Sequence, residues 1–327
     1  MAAAGSNLTR GRGGRVLGIA VAMGISSVLG FAFLAIASRW MAPVQYATFM
    51  AAWGLVFGLA AAMLSAEQEI ARIATVATLR GDPVPATTAQ VALAATALAT
   101  VALGVIVVSP AGHQAIGTSV PAVLLIWLSV IGFAVQYLVR GVALGRQDTR
   151  AYVIVILGDG GLRVIAIAIL ALAALPPSIE LGLCAVAAGC FSWVLVLPWA
   201  LRGISRGSGR VPWRSAIAAI GSLMVGSGFQ SMLLTAYPTL VASLVGVSDE
   251  LATYFGVVTL SRIPLVAASP IQTLAVPEAT RLIHSGRSRM LVSLLLKLAG
   301  LGLAAVAASA AFGYLAGPWL MRVFLGP

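Results

Sequence analysis

Long apolar runs separated by short polar breaks dominate the chain. Each run has about 20 residues or more, which is the length that an α-helix needs to cross the hydrocarbon core of a bilayer. Breaks rich in Gly, Pro, Ser and Arg end most of the runs. The pattern predicts nine membrane-crossing helices, at residues 16–37, 46–64, 88–108, 120–139, 151–175, 180–201, 215–245, 251–276 and 290–316. A more polar stretch, 67–80, continues the second helix, and Gly226, Gly228 and Pro238 are predicted to interrupt the seventh.

Composition supports this prediction of an all-α polytopic membrane protein. Of the 327 residues, 60% are hydrophobic and 9% are charged, so a soluble domain could not bury the apolar surface of this chain. The apolar runs also lack the alternation over about ten residues that strands of a membrane barrel show. The two cysteines, Cys184 and Cys190, share one apolar run and are interpreted as inert thiols without a disulfide or a metal.

The positive charges predict the orientation of the helices. The net charge is +11, and the basic residues concentrate in every second break between helices. With the N-terminus inside, fifteen arginines lie on the inner side: Arg10, Arg12, Arg15, Arg72, Arg80, Arg140, Arg146, Arg150, Arg202, Arg206, Arg210, Arg214, Arg281, Arg287 and Arg289. Only Arg39 and Arg322 lie on the outer side. This bias predicts a cytoplasmic N-terminus in the cytoplasmic (inner) membrane, and it explains the basic balance without a nucleic-acid partner.

Part of the sequence repeats at a shift of 205 positions. Residues 37–38 recur as 242–243, and residues 47–49 recur, with Tyr for Phe, as 252–254. Because both copies start inside, the two units are predicted to be parallel, related by an axis along the membrane normal. A complete second unit would need three further helices. The predicted organisation is a disordered basic tail at 1–15, a first six-helix lobe at 16–201, an Arg-rich linker at 202–214 and a partial three-helix second lobe at 215–327.

Four short segments resemble a transporter family. The turn Ala37-Ser38-Arg39-Trp40-Met41-Ala42-Pro43-Val44-Gln45-Tyr46 is similar to the R-x-L-G-P-x-x-Y/F-G joint of polysaccharide-biosynthesis membrane proteins. Residues 68–72, 140–145 and 261–265 also match what such proteins carry at those places. These proteins are the Wzx-like flippases of the multidrug/oligosaccharidyl-lipid/polysaccharide (MOP) exporter superfamily. Met41-Ala42 and Ala47 depart from the usual Leu-Gly and Gly.

The resemblance implies a fold and a function. It implies a two-lobe helical bundle similar to that of MATE transporters, which moves a lipid-linked oligosaccharide across the membrane by alternating access. The implied partners are membrane lipids, an anionic polyprenyl-diphosphate-linked glycan as substrate, and glycan-assembly proteins. None of the matching segments is a catalytic signature.

Arg262 is the strongest candidate for a substrate-binding residue. It lies inside the eighth predicted helix, on a polar stripe with Thr259, Ser269 and Thr273, and its counterpart in the first copy is Phe57. An arginine inside the membrane costs at least a few kcal/mol, so it should face a cavity or a partner. It contacts either an anionic head group, such as a lipid diphosphate, or the carbonyl groups of neighbouring helices.

Other intramembrane charges also have two interpretations. Asp159 and Arg163 are four residues apart and can pair on one helix face. They form either a structural pair or a switchable pair in a central cavity, with Asp159 as a proton or cation site and Arg163 as a further substrate ligand. Lys297 either extends back to the inner interface or lines the cavity.

Uncharged polar residues inside predicted helices are further candidates. They line the same cavity or make hydrogen bonds between helices, and they are Gln136, Ser227, Gln230 and Ser231. Glu67 and Glu69 are predicted to be solvated charges near the inner face, with Arg72 as the partner of Glu69.

The sequence carries no enzyme signature, cofactor motif or metal cluster. His113 and His284 fall in predicted loops on opposite sides of the membrane. Two alternatives to the flippase remain. A MATE-type drug/cation antiporter should have an acidic cavity, whereas three of the four buried charges are basic: Arg163, Arg262 and Lys297 against Asp159. The other is a non-transporting membrane scaffold of a glycan-assembly complex.

Overall fold

A computed structural model of the protein describes residues 2–116, 119–200 and 212–261, with single residues and short runs between 292 and 319. The described elements are helices. They are α1 Ala2–Trp40, α2 Pro43–Arg80, α3 Thr87–Val108, α4 Pro110–Ile116, α5 Val120–Gly145, α6 Thr149–Leu172, α7 Ile179–Cys190, a 3-10 helix Ser192–Val196, α8 Leu197–Ala200, α9 Trp213–Leu234, α10 Tyr237–Val245 and α11 Asp249–Ser261. We call α1–α8 the first lobe and α9–α11 the second lobe.

Six segments of the described chain are long and apolar enough to cross a membrane: Gly18–Trp40, Pro43–Arg80, Thr87–Val108, Val120–Gly145, Thr149–Leu172 and Ile179–Val196. The bent pair α9–α10 makes a seventh if it is counted as one span. These spans confirm a polytopic α-helical membrane protein. Most of the ninth predicted helix and the second half of the eighth lie outside the described residues.

Helix α2 lies at the centre of the bundle. Its 38 residues reach about 57 Å, which is longer than the hydrocarbon core is thick. It packs against α3, α5 and α7 of the first lobe and against α9, α10 and α11 of the second lobe. Because most of its first 25 residues are Ala, Gly, Leu and Met, neighbours can approach α2 from nearly every side.

Pairs of glycines four residues apart lie at close contacts of α5 and α2. In α5, a Cβ on Gly141 would lie 2.9 Å from the carbonyl oxygen of Glu67, and one on Gly145 would lie 2.8 Å from that of Ala71. In α2, a Cβ on Gly58 would lie 2.5 Å from the Cβ of Ala236 in the second lobe. Small residues at this spacing let the backbones of membrane helices approach closely.

The second-lobe span is broken where α9 meets α10. The two helices are bent by 65°, and the backbone N–H groups of Thr235 and Ala236 both donate to the carbonyl oxygen of Ser231. Pro238 accounts for the break, because its ring removes a backbone donor and collides with the preceding turn. The predicted interruption at Pro238 is therefore observed, whereas α9 continues without a break through Gly226 and Gly228.

Three other predictions of helix extent were wrong. Helix α1 already begins at Ala2, where the sequence predicted a disordered tail. The predicted helix 180–201 is regular α-helix only to Cys190, continues as the 3-10 helix Ser192–Val196 and ends in the short helix α8. Residues 110–116, predicted as loop, form the short helix α4.

Two helix ends match the repeat. Helix α1 ends at Trp40 and α10 ends at Val245, which are 205 positions apart. The next helices begin at Pro43 and Asp249, which agrees with the same shift to within one residue. The boundaries of the predicted tail, lobes and linker stay predictions.

Candidate functional site

Asp159 and Arg163 form an ion pair on α6, inside the first lobe. The guanidinium group of Arg163 contacts the carboxylate of Asp159 one helical turn away, and both side chains are largely buried. The guanidinium also lies 4.7 Å from the ring centroid of Phe57 and 5.6 Å from that of Phe133, both within reach of a cation–π contact. The buried charge is therefore partnered on several sides by groups of the protein itself.

Glycine on the neighbouring helix makes room for this pair. A Cβ on Gly189 of α7 would lie 2.6 Å from both Nε of Arg163 and the carbonyl oxygen of Asp159. Three further glycines lie beside the pair on α6. A Cβ on Gly158 or Gly160 would also be in close contact with a neighbouring side chain, whereas a Cβ on Gly161 would have nothing within 4 Å. Helices α6 and α7 therefore approach closely around the charges, as expected for small residues.

Gln136 of α5 lies beside the carboxyl group of Asp159 and is completely buried. The sequence left two roles open for Gln136, which were lining one cavity with Ser227, Gln230 and Ser231 or making hydrogen bonds between helices. The residue faces inward within the first lobe, because its position on α5 points away from the second lobe and toward α6.

A second charged cluster connects α2, α5 and α6. The guanidinium of Arg140 lies 3.0 Å from the carboxylate of Glu67, and Arg140 and Tyr152 donate hydrogen bonds of 3.3 and 3.1 Å to the same carboxylate. The guanidinium also lies 5.4 Å from the ring centroid of Tyr137. Only 4% of Glu67 is exposed, and 14% of the Arg140 side chain. The ion pair and the hydrogen bonds of this cluster thus connect three helices of the first lobe.

Sequence reasoning missed this cluster. It placed Glu67 among solvated charges and Arg140 beyond the end of its helix, whereas α5 continues to Gly145 and carries Arg140 inward. The signal was present, because Glu67 lies on the same helical face as the buried Ile70 and Ala74. The predicted pair of Glu69 and Arg72 is observed, at 2.6 Å.

A polar cleft separates α2 of the first lobe from α9 of the second. Its volume is about 330 Å³, and it is lined by Ala61, Leu64, Ser65, Gln68, Leu223, Gly226, Ser227, Gln230, Ser231 and Thr235. Six of these ten side chains carry a hydroxyl or an amide group, and none of the ten is charged. The amide groups of Gln68 and Gln230 make no hydrogen bond to the described part of the chain, so they are available to a ligand.

An apolar cavity adjoins the cleft on another side of α9. Its volume is about 570 Å³, and its walls come from α2, α3, α4, α9 and α10. The lining consists mainly of Gly, Ala, Leu, Ile, Val and Met. Ser231 lines both spaces.

The predicted site residues thus separate into three groups. Gln230, with Ser227 and Ser231, lines the polar cleft. Asp159 and Arg163 pair inside the first lobe and belong to neither of the two linings. Arg262 and Lys297 lie outside the described residues. Among the residues that the structure describes, no group of three or more His, Cys, Asp or Glu could hold a metal ion.

Comparison with solved structures identifies the fold. A MATE family multidrug transporter of the MOP superfamily, in an inward-facing conformation, superimposes with a TM-score of 0.66 at 12% identity, over 94% of this chain and 75% of that one. The outward-facing conformation of such a transporter gives 0.61 at 12% identity, over 95% and 77%. The fold is therefore that of MATE/MOP transporters, and the chain spans about three quarters of their length.

Another similar structure differs in its binding pocket. A MOP superfamily transporter from Pyrococcus furiosus has a TM-score of 0.61 at 14% identity, over 95% of this chain and 76% of that one. A reverse polarity of its binding pocket has been described as suggesting a different function. These similar structures are transporters and not enzymes. No family model and no curated protein matches the sequence.

Proposed function

We propose that this protein moves a lipid-linked oligosaccharide across the cytoplasmic membrane by alternating access. The observation that carries the proposal is the polar cleft between the two lobes. One of its walls belongs to α2 and the other to α9. A rocking motion of one lobe against the other would therefore change the access to this space, as in other two-lobe transporters.

The chemistry of the cleft favours a polyhydroxylated group. Hydroxyl and amide side chains donate and accept hydrogen bonds, so they match the hydroxyl groups of a sugar. Gln68 and Gln230 supply amides from facing helices, and Thr235 supplies a hydroxyl. The absence of an acidic side chain from this lining favours a neutral group over a cationic drug.

The remaining parts of the proposal come from the sequence. The diphosphate of the substrate would be held by Arg262, with Lys297 near the inner interface. The N-terminus would be cytoplasmic. Membrane lipids and glycan-assembly proteins would be the partners.

Transport by purified protein in vesicles tests the proposal. A fluorescent polyprenyl-diphosphate oligosaccharide is placed in the inner leaflet. Its transfer to the outer leaflet is measured as the loss of fluorescence on addition of an external quencher. We expect Gln230→Leu to slow the transfer about tenfold, since a sugar hydroxyl loses its partner in a largely dehydrated space. Gln114→Leu is the matched control, because Gln114 is exposed on α4 and lies outside both linings. Wild-type protein that neither binds nor transfers such lipids rules the proposal out.

Export of drugs is the second candidate. It is favoured by the likeness to multidrug transporters and by the buried carboxylate of Asp159, which could couple transport to protons or cations. Efflux of a cationic dye that is driven by an ion gradient and abolished by Asp159→Asn would favour drug export over glycolipid transfer.

A further inference from the structure

The apolar cavity has walls from both lobes. Leu59 and Ala62 of α2 face Leu98 and Ala102 of α3 across it, and α9 closes it with residues that include Met224 and Met232. At about 570 Å³, it is within the range of about 300–1,000 Å³ typical of ligand sites.

The hydroxyl groups in this lining already donate their hydrogens to backbone carbonyls. Thr239 donates to the carbonyl oxygen of Ala51 at 2.6 Å, and Ser109 to that of Ile106 at 2.7 Å. Ser231 and Ser243 likewise donate to carbonyl oxygens of their own helices, at 2.9 and 2.7 Å. Because these hydrogens are already used by backbone carbonyls, the cavity presents an almost purely hydrocarbon surface to its contents.

The cavity adjoins the polar cleft along α2 and α9, and the two helices touch between these spaces, where the hydroxyl group of Ser227 donates to the carbonyl oxygen of Ala62 at 3.1 Å. On α9, Gly221, Met224, Val225, Gly228 and Met232 form a stripe that faces the cavity, and Leu223, Gly226, Ser227 and Gln230 form the adjoining stripe that faces the cleft. Ser231 lies on the boundary between the stripes. On α2, Ala61 lines the cleft and its neighbour Ala62 lines the cavity. Two parts of one amphipathic molecule can therefore lie on the adjoining stripes of α9, on either side of Ser231.

We propose that this cavity binds a hydrocarbon chain of the transported lipid while the sugar occupies the cleft. The inference rests on the proposed function and adds a second binding compartment to it. A chain gains little by leaving one apolar environment for another, so the cavity does not act through a large gain in affinity. It acts through shape, by keeping the chain beside its head group during transfer and by excluding chains that do not fit.

Filling the cavity tests the proposal. Ala102→Phe places a ring in the cavity, whereas Val101→Phe places the same ring on the outer side of α3, where Val101 is 66% exposed. We expect Ala102→Phe to slow transfer of the lipid-linked oligosaccharide about tenfold and to leave the affinity for the free, tail-less glycan diphosphate unchanged. Val101→Phe should change neither. Leu98→Gln, which adds polarity with little change in volume, should reproduce the loss, and thermal unfolding of each variant shows that it is folded.

Cross-linking measures occupancy of the cavity independently of transport. A glycolipid with a photoreactive group in its chain should label the segment 98–106 of α3 in the wild type, and Ala102→Phe should reduce this labelling at least fivefold. Equal labelling by a phospholipid that carries the same chain would mean adventitious lipid only and would overturn the proposal. So would wild-type transport without labelling, or equal transport by Ala102→Phe and wild type. If the wild type moves no glycolipid, the proposed function fails, and the labelling then decides by itself whether the cavity selects this lipid.

Discussion

Replacing Arg140 by Met would leave the carboxylate of Glu67 inside the first lobe, with Tyr152 as its only partner in the described part of the chain. The ion pair at 3.0 Å would be lost, and so would the hydrogen bond of 3.3 Å from the guanidinium. Met has a similar length to Arg and fills most of the space, so the change mainly removes the charge. The expected destabilisation therefore reports the cost of burying an unpaired carboxylate.

The burial of both partners allows the magnitude to be worked out. Removing one member of a buried ion pair costs about 3–5 kcal/mol, because the other charge stays behind without compensation. For a domain of this size, 1 kcal/mol corresponds to about 2–4 °C in melting temperature. Arg140→Met should thus lower the melting temperature by roughly 6–20 °C. The double variant Glu67→Leu with Arg140→Met should recover most of this loss, because no buried charge remains.

The assay is thermal unfolding of detergent-solubilised protein, followed by tryptophan fluorescence. Arg72→Met is the matched control, because Arg72 also pairs with a glutamate of α2, at 2.6 Å, but its side chain is 66% exposed. An exposed pair contributes about 0–1 kcal/mol, so this variant should melt within about 4 °C of the wild type.

Two results would refute this reasoning. Equal melting temperatures of Arg140→Met and Arg72→Met would show that burial does not determine the cost of losing an arginine. A double variant that is less stable than Arg140→Met would show that Glu67 is stabilising without its partner.

Two further substitutions test other contacts. Gly58→Val should destabilise the packing between the lobes by about 1–3 kcal/mol, since a Cβ would meet Ala236 at 2.5 Å, whereas Gly104→Val, with nothing within 4 Å, should not lower the melting temperature. Equal melting temperatures of these two variants would contradict the close approach. Tyr152→Phe removes the hydrogen bond of 3.1 Å to Glu67 and should lower the unfolding free energy by about 1–3 kcal/mol. A melting temperature equal to that of the wild type would mean that the hydroxyl group does not stabilise the buried carboxylate.

The sequence predicted most of the helices because a membrane span has a simple requirement, which is length and apolarity. The prediction was wrong where the local backbone, and not the apolar pattern, determines where a helix breaks or begins. The break before Pro238 follows from a proline, but an apolar pattern does not indicate whether a proline breaks a helix or only bends it. The helical start at Ala2 was missed because residues 1–15 carry no apolar periodicity.

The candidate site was predictable only where its contacts are local. Asp159 and Arg163 are one turn apart on one helix, so their spacing is sufficient to predict the pair. Glu67 and Arg140 are 73 positions apart, and no pattern in either segment predicts that these two side chains pair. Gln136 and Gln230 are both amides in apolar helices, and the sequence could not show that the first faces into one lobe and the second into the cleft.

The glycine face of α2 has a consequence for how the protein is made. Gly58 meets Ala236, which lies about 180 positions later in the chain. At synthesis rates of about 5–20 residues per second, α2 therefore waits roughly 10–35 s in the bilayer before its partner is made. During this interval lipid, or a helper protein of the insertion machinery, must cover the narrow groove over Gly54 and Gly58. Among the described contacts, those that join α2 to the second lobe therefore form late in the nascent chain.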